Sequence, residues 1–238
     1  MNSNAGAILR SAGFDDLAVT EWSAAAPKRT GDFYVDQPRY VRFWQLSRDL
    51  LARLPKKPAR NAAEASAAAA ILAGAREPRE RFLAAHCETL YDELTRERSK
   101  FIRLENLVFA AADAVPGLTP TAAQAAAEAS LLQSEKDGVE IDQGIFLAHV
   151  LASETAGRHL CHAMLLPRPE STDALKKLDA DGVLDFGKVS VERRGKAAVV
   201  TSKNERFLNA EDDSTLDFME IAVDAAILDP RTDIAVLR

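Results

Sequence analysis

The sequence predicts an α+β protein in which a long helical block precedes a short β-containing segment. Up to about residue 180, alanine is unusually frequent and apolar residues recur three and four positions apart, the spacing of amphipathic helices. After Asp181 the pattern changes, because Phe186–Arg193 alternates apolar and polar residues and Lys196–Ser202 is rich in β-branched side chains. We therefore expect three parts: a flexible lead-in over residues 1–38, a helical domain over 39–180 and a β-β-α-β segment over 181–238.

The composition favours a soluble, acidic protein with a sizeable core. Hydrophobic residues make up 47% and charged residues 28% of the 238 residues, which excludes wholesale disorder. A net charge of -6 argues against a nucleic acid or a membrane surface as a partner. No apolar run approaches the ~18 residues of a membrane span, and no signal peptide is evident. The two cysteines, Cys87 and Cys161, fit a reduced compartment, so we expect a cytoplasmic protein.

The helical domain is divided by proline and by capping residues. Asn61, with Glu64 three residues later, has the pattern of a capping box. A new helix is predicted from Pro78, and Thr119-Pro120 opens another. The predicted helices are Tyr40–Leu54, Asn61–Ala75, Pro78–Thr95, Arg103–Val115, Thr121–Ser134 and Gln143–Met164.

The last 58 residues predict a hairpin, a helix and a strand. Arg194-Gly195 lies between the two strand-like runs and is typical of a tight turn. A polar loop follows, and a helix is predicted over Glu211–Leu228 with Asn209 as its N-cap. Asp233–Leu237 is almost entirely apolar, which is typical of a strand that is buried on both faces.

Two clusters contain side chains that could form a binding site, and we interpret both as structural. His159, Cys161 and His162 (HLCH) have metal-ligand chemistry, but Cys161 points away from the helix face that the histidines share. No second Cys/His pair completes a four-ligand set, so we expect no bound metal. Arg193-Arg194 with Lys196 is interpreted as a solvated turn, with contact to a phosphate as the alternative.

The acidic segment Glu135–Phe146 is interpreted in the same way. It places Glu140, Asp142 and Gln143 ahead of a helix, where acidic side chains favour the positive end of the helix dipole. The alternative is a polar support or a contact between subunits. No nucleotide-binding loop and no GxSxG, HExxH or CxxC motif occurs in the chain.

The C-terminal run, from Val189 onward, resembles the opening of the crotonase (enoyl-CoA hydratase/isomerase) fold. In that family a hairpin is followed by a loop that ends in Leu-Asn-Ala, and Leu208-Asn209-Ala210 stands in this place. Segments Arg42–Pro55, Val115–Gln124 and Glu140–Leu160 resemble the helical domain that precedes the crotonase domain in the (3,5-dihydroxyphenyl)acetyl-CoA 1,2-dioxygenase family. The resemblance extends from about Val41 to Arg238.

This resemblance implies a dioxygenase that uses neither metal nor flavin. Such enzymes bind an arylacetyl-CoA thioester, remove its α-proton to form an enolate, and let the enolate react with O2 to give an arylglyoxylate and CoA. The segment Asn204–Ala210 would then line the CoA side of the site, and Glu211 would accept hydrogen bonds from ring hydroxyls. Within that segment the implied CoA contacts are Glu205, Arg206, Leu208 and Ala210.

The resemblance also places the catalytic groups outside this chain. The two backbone N–H groups that stabilise a crotonase enolate would come from segments beyond Arg238, so we expect no catalytic residue here. The rest of the fold would come from a continuation of the chain or from a second polypeptide, in a trimer or a dimer of trimers. Two alternatives stay open: a crotonase-type hydratase or isomerase, and a non-catalytic helical assembly module.

Overall fold

Ten α-helices and four β-strands run through residues 4–238, the part of the chain that this computed structural model describes. The helices are α1 (Ala5–Ser11), α2 (Asp16–Ala24), α3 (Phe33–Ala52), α4 (Ala62–Thr95), α5 (Leu104–Ala114), α6 (Ala122–Ala129), α7 (Val139–Ala152), α8 (Glu154–Leu165), α9 (Ser171–Asp181) and α10 (Leu216–Leu228). The strands are β1 (Val183–Asp185), β2 (Val189–Arg194), β3 (Ala197–Ser202) and β4 (Ile234–Leu237). The α+β class predicted from the sequence is confirmed. Within the described residues, no helix combines the length and the apolar character that a membrane crossing requires.

The structure divides into two units, one ending at Met164 and the other spanning Leu165–Arg238. The first unit is helical, and the second combines a four-stranded sheet with α9 and α10. The division lies earlier than the predicted boundary at residue 180, because α9 packs against β1, β2 and α10. Helix α9 was not predicted, since it is short and follows two prolines, Pro167 and Pro169.

The core of the first unit surrounds the 34-residue helix α4. Helices α1, α3 and α7 all pack against it. Large aromatic side chains fill the contact between α3 and α4, and Tyr40 and Trp44 lie with their ring centroids 5.1 and 5.7 Å from that of Phe82. All three are almost fully buried, so this aromatic cluster contributes much of the apolar burial in the unit.

The segment before α3 differs from the flexible lead-in that the sequence suggested. Residues 5–11 and 16–24 are helical, and Leu9 and Trp22 are buried in the core of the first unit. The indole of Trp22 donates a 2.9 Å hydrogen bond to Oγ of Ser47 and stacks on Phe43. These contacts join residues far apart in sequence, so local periodicity did not reveal them.

Helix α4 continues through Pro78, where the sequence predicted a division between two helices. Its predicted start is confirmed, since Asn61 and Glu64 form a capping box. Proline removes one hydrogen bond of the helix and favours a kink. Trp44 Nε1 donates to the carbonyl of Ala75 at 3.1 Å, and Pro78 itself is buried. Tertiary packing therefore holds the helix continuous across a residue that locally opposes it.

The predicted helix Gln143–Met164 is instead two helices, α7 and α8, that meet at Ser153. Ser153 Oγ accepts the N–H of Ala156 at 3.1 Å and donates to Glu88 at 2.5 Å, so Ser153 caps α8. A Cβ on Gly157 would lie 2.8 Å from the carbonyl oxygen of Leu151. The division thus depends on a serine cap and on the close approach that glycine permits.

The second unit has the strand order β1-β2-β3-β4. The first three strands are antiparallel neighbours, and β4 returns through α10 to lie parallel to β3. Helices α9 and α10 pack against the sheet, where Val189, Val191, Ala198 and Val200 are buried. The predicted hairpin is confirmed. The prediction that the last strand is buried on both faces is wrong, because β4 lies at the edge of the sheet and all four of its residues are exposed.

Candidate functional site

The loop between β3 and α10, residues 203–215, contains all five residues that the sequence analysis assigned to the substrate: the four CoA contacts and Glu211. It begins with a short 3₁₀ turn over Glu205–Phe207, followed by two residues in the left-handed conformation, Leu208 (φ 56°) and Asn209 (φ 59°). Positive φ is uncommon for a residue with a Cβ, although asparagine adopts it more readily than most. The loop therefore reverses direction sharply at the Leu-Asn-Ala segment.

Asn204 and Asp212 fix the two ends of this reversal. Asn204 is buried, and its Nδ2 donates to the carbonyl of Ala210 at 2.8 Å and to Asp212 Oδ2 at 3.2 Å. The Asn204 carbonyl accepts the N–H groups of Phe207 and Asn209. Hydrogen bonds from Ser214 and Asn204 help to hold the pKa of the Asp212 carboxyl below its usual range. One buried amide thus links the start of the loop to its end.

The four predicted CoA contacts lie close together on this loop and are all exposed. Leu208 has 94% of its surface accessible. Arg206 is the single cation between Glu205 and Asp213, and its guanidinium lies 5.4 Å from the ring centroid of Phe207. The backbone N–H of Ala210 donates to Phe207 and its carbonyl accepts from Asn204, so both backbone groups are already used. Lys203, at the start of the loop, already pairs with Asp185 at 3.1 Å. Arg206 has no carboxylate partner among the described residues, so it is the cation of this loop that is best placed to pair with a phosphate.

Glu211 is exposed, and its carboxylate has no hydrogen bond or ion pair with the described residues. The predicted helix start is wrong, since α10 begins at Leu216 and Glu211 lies outside its first turn. Asn209 is not the N-cap either. The turn before the helix is closed by Asp212 and Thr215, because Asp212 N donates to Thr215 Oγ1 at 2.9 Å and Asp212 O accepts the N–H of Leu216 at 3.0 Å. Helix capping therefore does not explain why an acidic residue occupies position 211.

The basic turn of the β2–β3 hairpin is neutralised by acidic neighbours. Arg193 Nε lies 2.7 Å from Asp229, Arg194 lies 2.7 Å from Glu192, and Lys196 lies 2.8 Å from Asp233. Each cation has its own carboxylate, which favours the structural interpretation of this turn over a phosphate contact.

The HLCH segment lies on α8, where aromatic packing occupies both histidines. His159 Nδ1 is 2.8 Å from the hydroxyl of Tyr91, and the ring of Phe101 stacks on His159 and on His162 at centroid distances of 4.6 and 5.1 Å. Cys161 is exposed. Among residues 4–238, no group of three or more histidine, cysteine or acidic side chains is arranged to hold a metal ion.

Asp142 is a support between helices rather than a simple helix-end charge. Its Oδ1 accepts hydrogen bonds from Arg76 at 3.1 Å and from Arg79 at 3.0 Å, both on α4. The sequence analysis singled out Asp142, and the contacts agree with the alternative interpretation given there, a polar support. The two arginine partners were missed, because they lie more than 60 residues away in the chain.

Comparison with known proteins provides the family. No protein-family model matches the chain. A (3,5-dihydroxyphenyl)acetyl-CoA 1,2-dioxygenase from Amycolatopsis orientalis is 45% identical over 190 residues, which cover 80% of this chain and 44% of that relative. The chain thus spans somewhat less than half the length of the relative it matches. The resemblance to the (3,5-dihydroxyphenyl)acetyl-CoA 1,2-dioxygenase family is confirmed, and this chain belongs to that family.

Proposed function

We propose that this chain forms the N-terminal part of a dioxygenase that oxidises an arylacetyl-CoA thioester without metal or flavin. The observation that carries the proposal is the 45% identity over 190 residues to a relative named for that reaction. In the proposed reaction, loss of the α-proton gives an enolate, O2 reacts at the α-carbon, and the thioester is cleaved to an arylglyoxylate and CoA. Both atoms of O2 enter the arylglyoxylate, so no external reductant is needed.

The second unit is proposed to be the start of a crotonase-like domain. Supporting this, a hairpin, a reversing loop, a helix and a parallel strand follow one another in the order that the family resemblance implies. We propose that the groups which stabilise the enolate lie outside residues 1–238, in a segment equivalent to the unmatched part of the relative. The complete enzyme is proposed to be a cytoplasmic homo-oligomer, either a trimer or a dimer of trimers.

The loop after β3 is proposed to contact the substrate from one side. Glu205, Arg206, Leu208 and Ala210 are assigned to the CoA part, and Arg206 supplies its positive charge. Glu211 is assigned to the hydroxyl groups of the aryl ring. Its carboxylate is exposed and has no partner among residues 4–238, which supports this role. An ionised carboxylate can accept two hydrogen bonds from phenols at little cost when it has no such partner to give up.

The test uses the complete polypeptide purified from its source, supplied with (3,5-dihydroxyphenyl)acetyl-CoA while O2 uptake and free thiol are recorded. We expect equimolar O2 uptake and CoA release, unchanged by a metal chelator. Hydration of crotonyl-CoA without O2 uptake would instead identify a hydratase. Failure to bind any CoA thioester, with oligomerisation retained, would identify an assembly module. Stoichiometric zinc that is lost in His159→Ala would contradict the metal-free proposal.

A matched pair of loop variants tests the ring contact. Glu211→Gln is compared with Asp213→Asn, which removes one carboxylate from the same loop two residues away. We expect Glu211→Gln to lower kcat/KM for the dihydroxylated substrate by about tenfold or more, while use of phenylacetyl-CoA changes little. Equal losses for the two substrates, or equal effects of the two variants, would exclude Glu211 as the ring contact.

A further inference from the structure

The helical unit contains a cavity that the proposed reaction does not use. It has a volume of about 120 Å³ and lies between α3, α4, the turn at Gly117 and the start of α7. Its lining includes Trp44, Arg48, Arg79, Thr119, Gln124 and Asp142. A molecule of liquid water occupies about 30 Å³, so the space corresponds to a few waters or to a ligand of about four to six non-hydrogen atoms.

Positive charge exceeds negative charge around this cavity. Arg48 and Arg79 line it, and the half-buried carboxylate of Asp142 pairs with Arg79 and with Arg76, which lies outside the lining. Arg48 makes no ion pair with the described residues, and its guanidinium hydrogen-bonds the neutral side chain of Gln45. Burial lowers the pKa of Arg48, and the carboxylate that opposes this effect, that of Asp49, is exposed and accepts from Gln45.

Arg79 carries an unsatisfied donor in the wall of the cavity. Its side chain is buried, and its Nε has no hydrogen-bond partner among residues 4–238. Burial lowers the pKa of Arg79 to about 10; Asp142 opposes this effect, and the neighbouring Arg76 and Arg48 add to it. A cation that is already desolvated and crowded by like charges is stabilised by any anion that enters.

The backbone of Gly117 lies against both arginines of the cavity wall. Its carbonyl accepts a 2.8 Å hydrogen bond from Arg79 Nη2, and a Cβ at this position would lie only 2.6 Å from Arg48 Nη1. Its φ of 94° is also one that residues with a side chain rarely adopt. The turn therefore needs glycine to bring two guanidinium groups against the same backbone.

We propose that this cavity binds a small carboxylate with an apolar body, its carboxylate between Arg48 and Arg79. Trp44 and the aliphatic residues of α3 and α4 line the rest of the space, which suits an alkyl chain better than a hydrated phosphate. A guanidinium group suits a carboxylate because it can donate two parallel hydrogen bonds. Arg79 Nη1 and Nη2 already donate to Asp142 and to Gly117, so Arg48 would supply the paired donors and Arg79 would add a bond from its Nε.

The test measures binding of butyrate to the whole protein by calorimetry, with butyramide as the neutral ligand of the same shape and inorganic phosphate as the competing anion. We expect saturable binding of butyrate and at least about tenfold weaker binding of butyramide and of phosphate. Arg48→Gln should weaken butyrate binding by about tenfold or more, and Arg48→Lys should restore part of it. Arg42→Gln, which removes an exposed arginine from the same helix, should leave binding unchanged.

Comparable affinity for butyramide, tighter binding of phosphate than of butyrate, or no saturable binding would overturn the proposal. Equal losses in Arg48→Gln and Arg42→Gln would do the same, since they would reflect net charge alone. The ligand comparison needs no variant, so it decides the question even if Arg48→Gln fails to fold. The experiment measures ligand binding and not dioxygenase activity. A negative result would therefore contradict this site without contradicting the proposed function, and the reverse also holds.

Discussion

The carboxylate of Asp36 lies 2.9 Å from Nε2 of His86, and both side chains are buried in the helical unit. Asp36 also accepts hydrogen bonds from the backbone N–H groups of Thr30 and Gly31 and from the Thr30 hydroxyl. One side chain of α3 thus connects the preceding segment to α4. Burial raises the pKa of Asp36, but the hydrogen bonds from His86, Thr30 and Gly31 outweigh it and lower the pKa to about 2.

Asp36→Asn is therefore expected to lower the free energy of unfolding of the helical unit by about 2–4 kcal/mol at pH 7. The folded-state pKa lies below the ordinary value of 3.8, so this stabilisation is present above that value. It is lost as the pH falls from about 4 to about 2. Urea unfolding at pH 7 and pH 3 checks both statements. Asp49→Asn, an exposed acid on the same helix, should change little, and an unaltered acid dependence in Asp36→Asn would contradict the assignment.

A second buried ion pair connects the sheet of the other unit to the end of α10. Arg193 Nε is 2.7 Å from Asp229, which is buried and also accepts from Thr232 at 2.6 Å. The hydrogen bond from Arg193 is the main cause of a lowered Asp229 pKa, about 2. Arg193→Met should cost about 3 kcal/mol or more, because it leaves a buried carboxylate without its cation.

Arg194 is the natural control for that substitution. It follows Arg193 on the same strand, but both Arg194 and its partner Glu192 are largely exposed. Exposed pairs contribute little, so Arg194→Met should change stability by less than about 0.5 kcal/mol. Hydrogen exchange of buried β2 amides such as Val191 measures the second unit separately. Similar exchange rates in both variants would show that the Arg193–Asp229 pair is not a major support.

Elements with a strong local pattern were the ones that the sequence predicted. The hairpin, the capping box at Asn61, helix α5 and the part of α3 after Tyr40 all follow from spacing within a few residues. The start of α3 was missed, because the helix begins at Phe33 and passes through Pro38. The errors occur where distant contacts decide the outcome. Helix α4 passes through Pro78 with support from Trp44, and the loop before α10 is closed by Asp212 and Thr215 rather than by Asn209.

In the candidate sites, too, contacts between residues far apart in the chain were not predicted. The loop over 203–215 was found because Leu208-Asn209-Ala210 resembles a family motif, whereas its anchor, the side-chain bond from Asn204 to the Ala210 carbonyl, needs the folded chain. The arginine cavity had no sequence signal, since Arg48 and Arg79 belong to different helices and meet through the turn at Gly117. Pairs of this kind, 30 or more residues apart, are invisible to periodicity.

The two cysteines are expected to differ sharply in reactivity. Cys87 is buried on α4, and burial raises the pKa of its thiol to about 12, whereas Cys161 is exposed on α8. The thiolate is the reactive form, so an aromatic disulfide reagent at pH 8 should modify one thiol per native chain and two per unfolded chain. Cys161→Ser should abolish labelling of the native protein, and Cys87→Ser should leave it unchanged. Rapid labelling of Cys87 in the native protein would contradict the packing around α4.

The edge of the sheet at β4 is expected to drive self-association. Ile234 donates its N–H to the carbonyl of Lys196, just before β3, and Arg238 donates its N–H to Val200 in β3. By the alternation of a strand, Ala235 and Leu237 therefore direct their backbone groups to the open edge. The strand is apolar and uncharged, and 61% of the Ile234 surface is exposed. Such an edge is a template for pairing with another strand, and a lysine there is a common protection.

Ile234→Lys is therefore predicted to lower the concentration-dependent association of this 238-residue chain by at least about fivefold, measured by sedimentation velocity, with little loss of stability. Ile234 lies beside Ala197 in the β3–β4 ladder, on the sheet face opposite that of the buried Ala198 and Val200, so the charge stays in solvent. Ser190→Lys adds the same charge to that face but on the inner strand β2, and should leave association unchanged. If both variants reduce association equally, net charge rather than the edge of β4 controls it. If neither does, another surface of the chain mediates the contact.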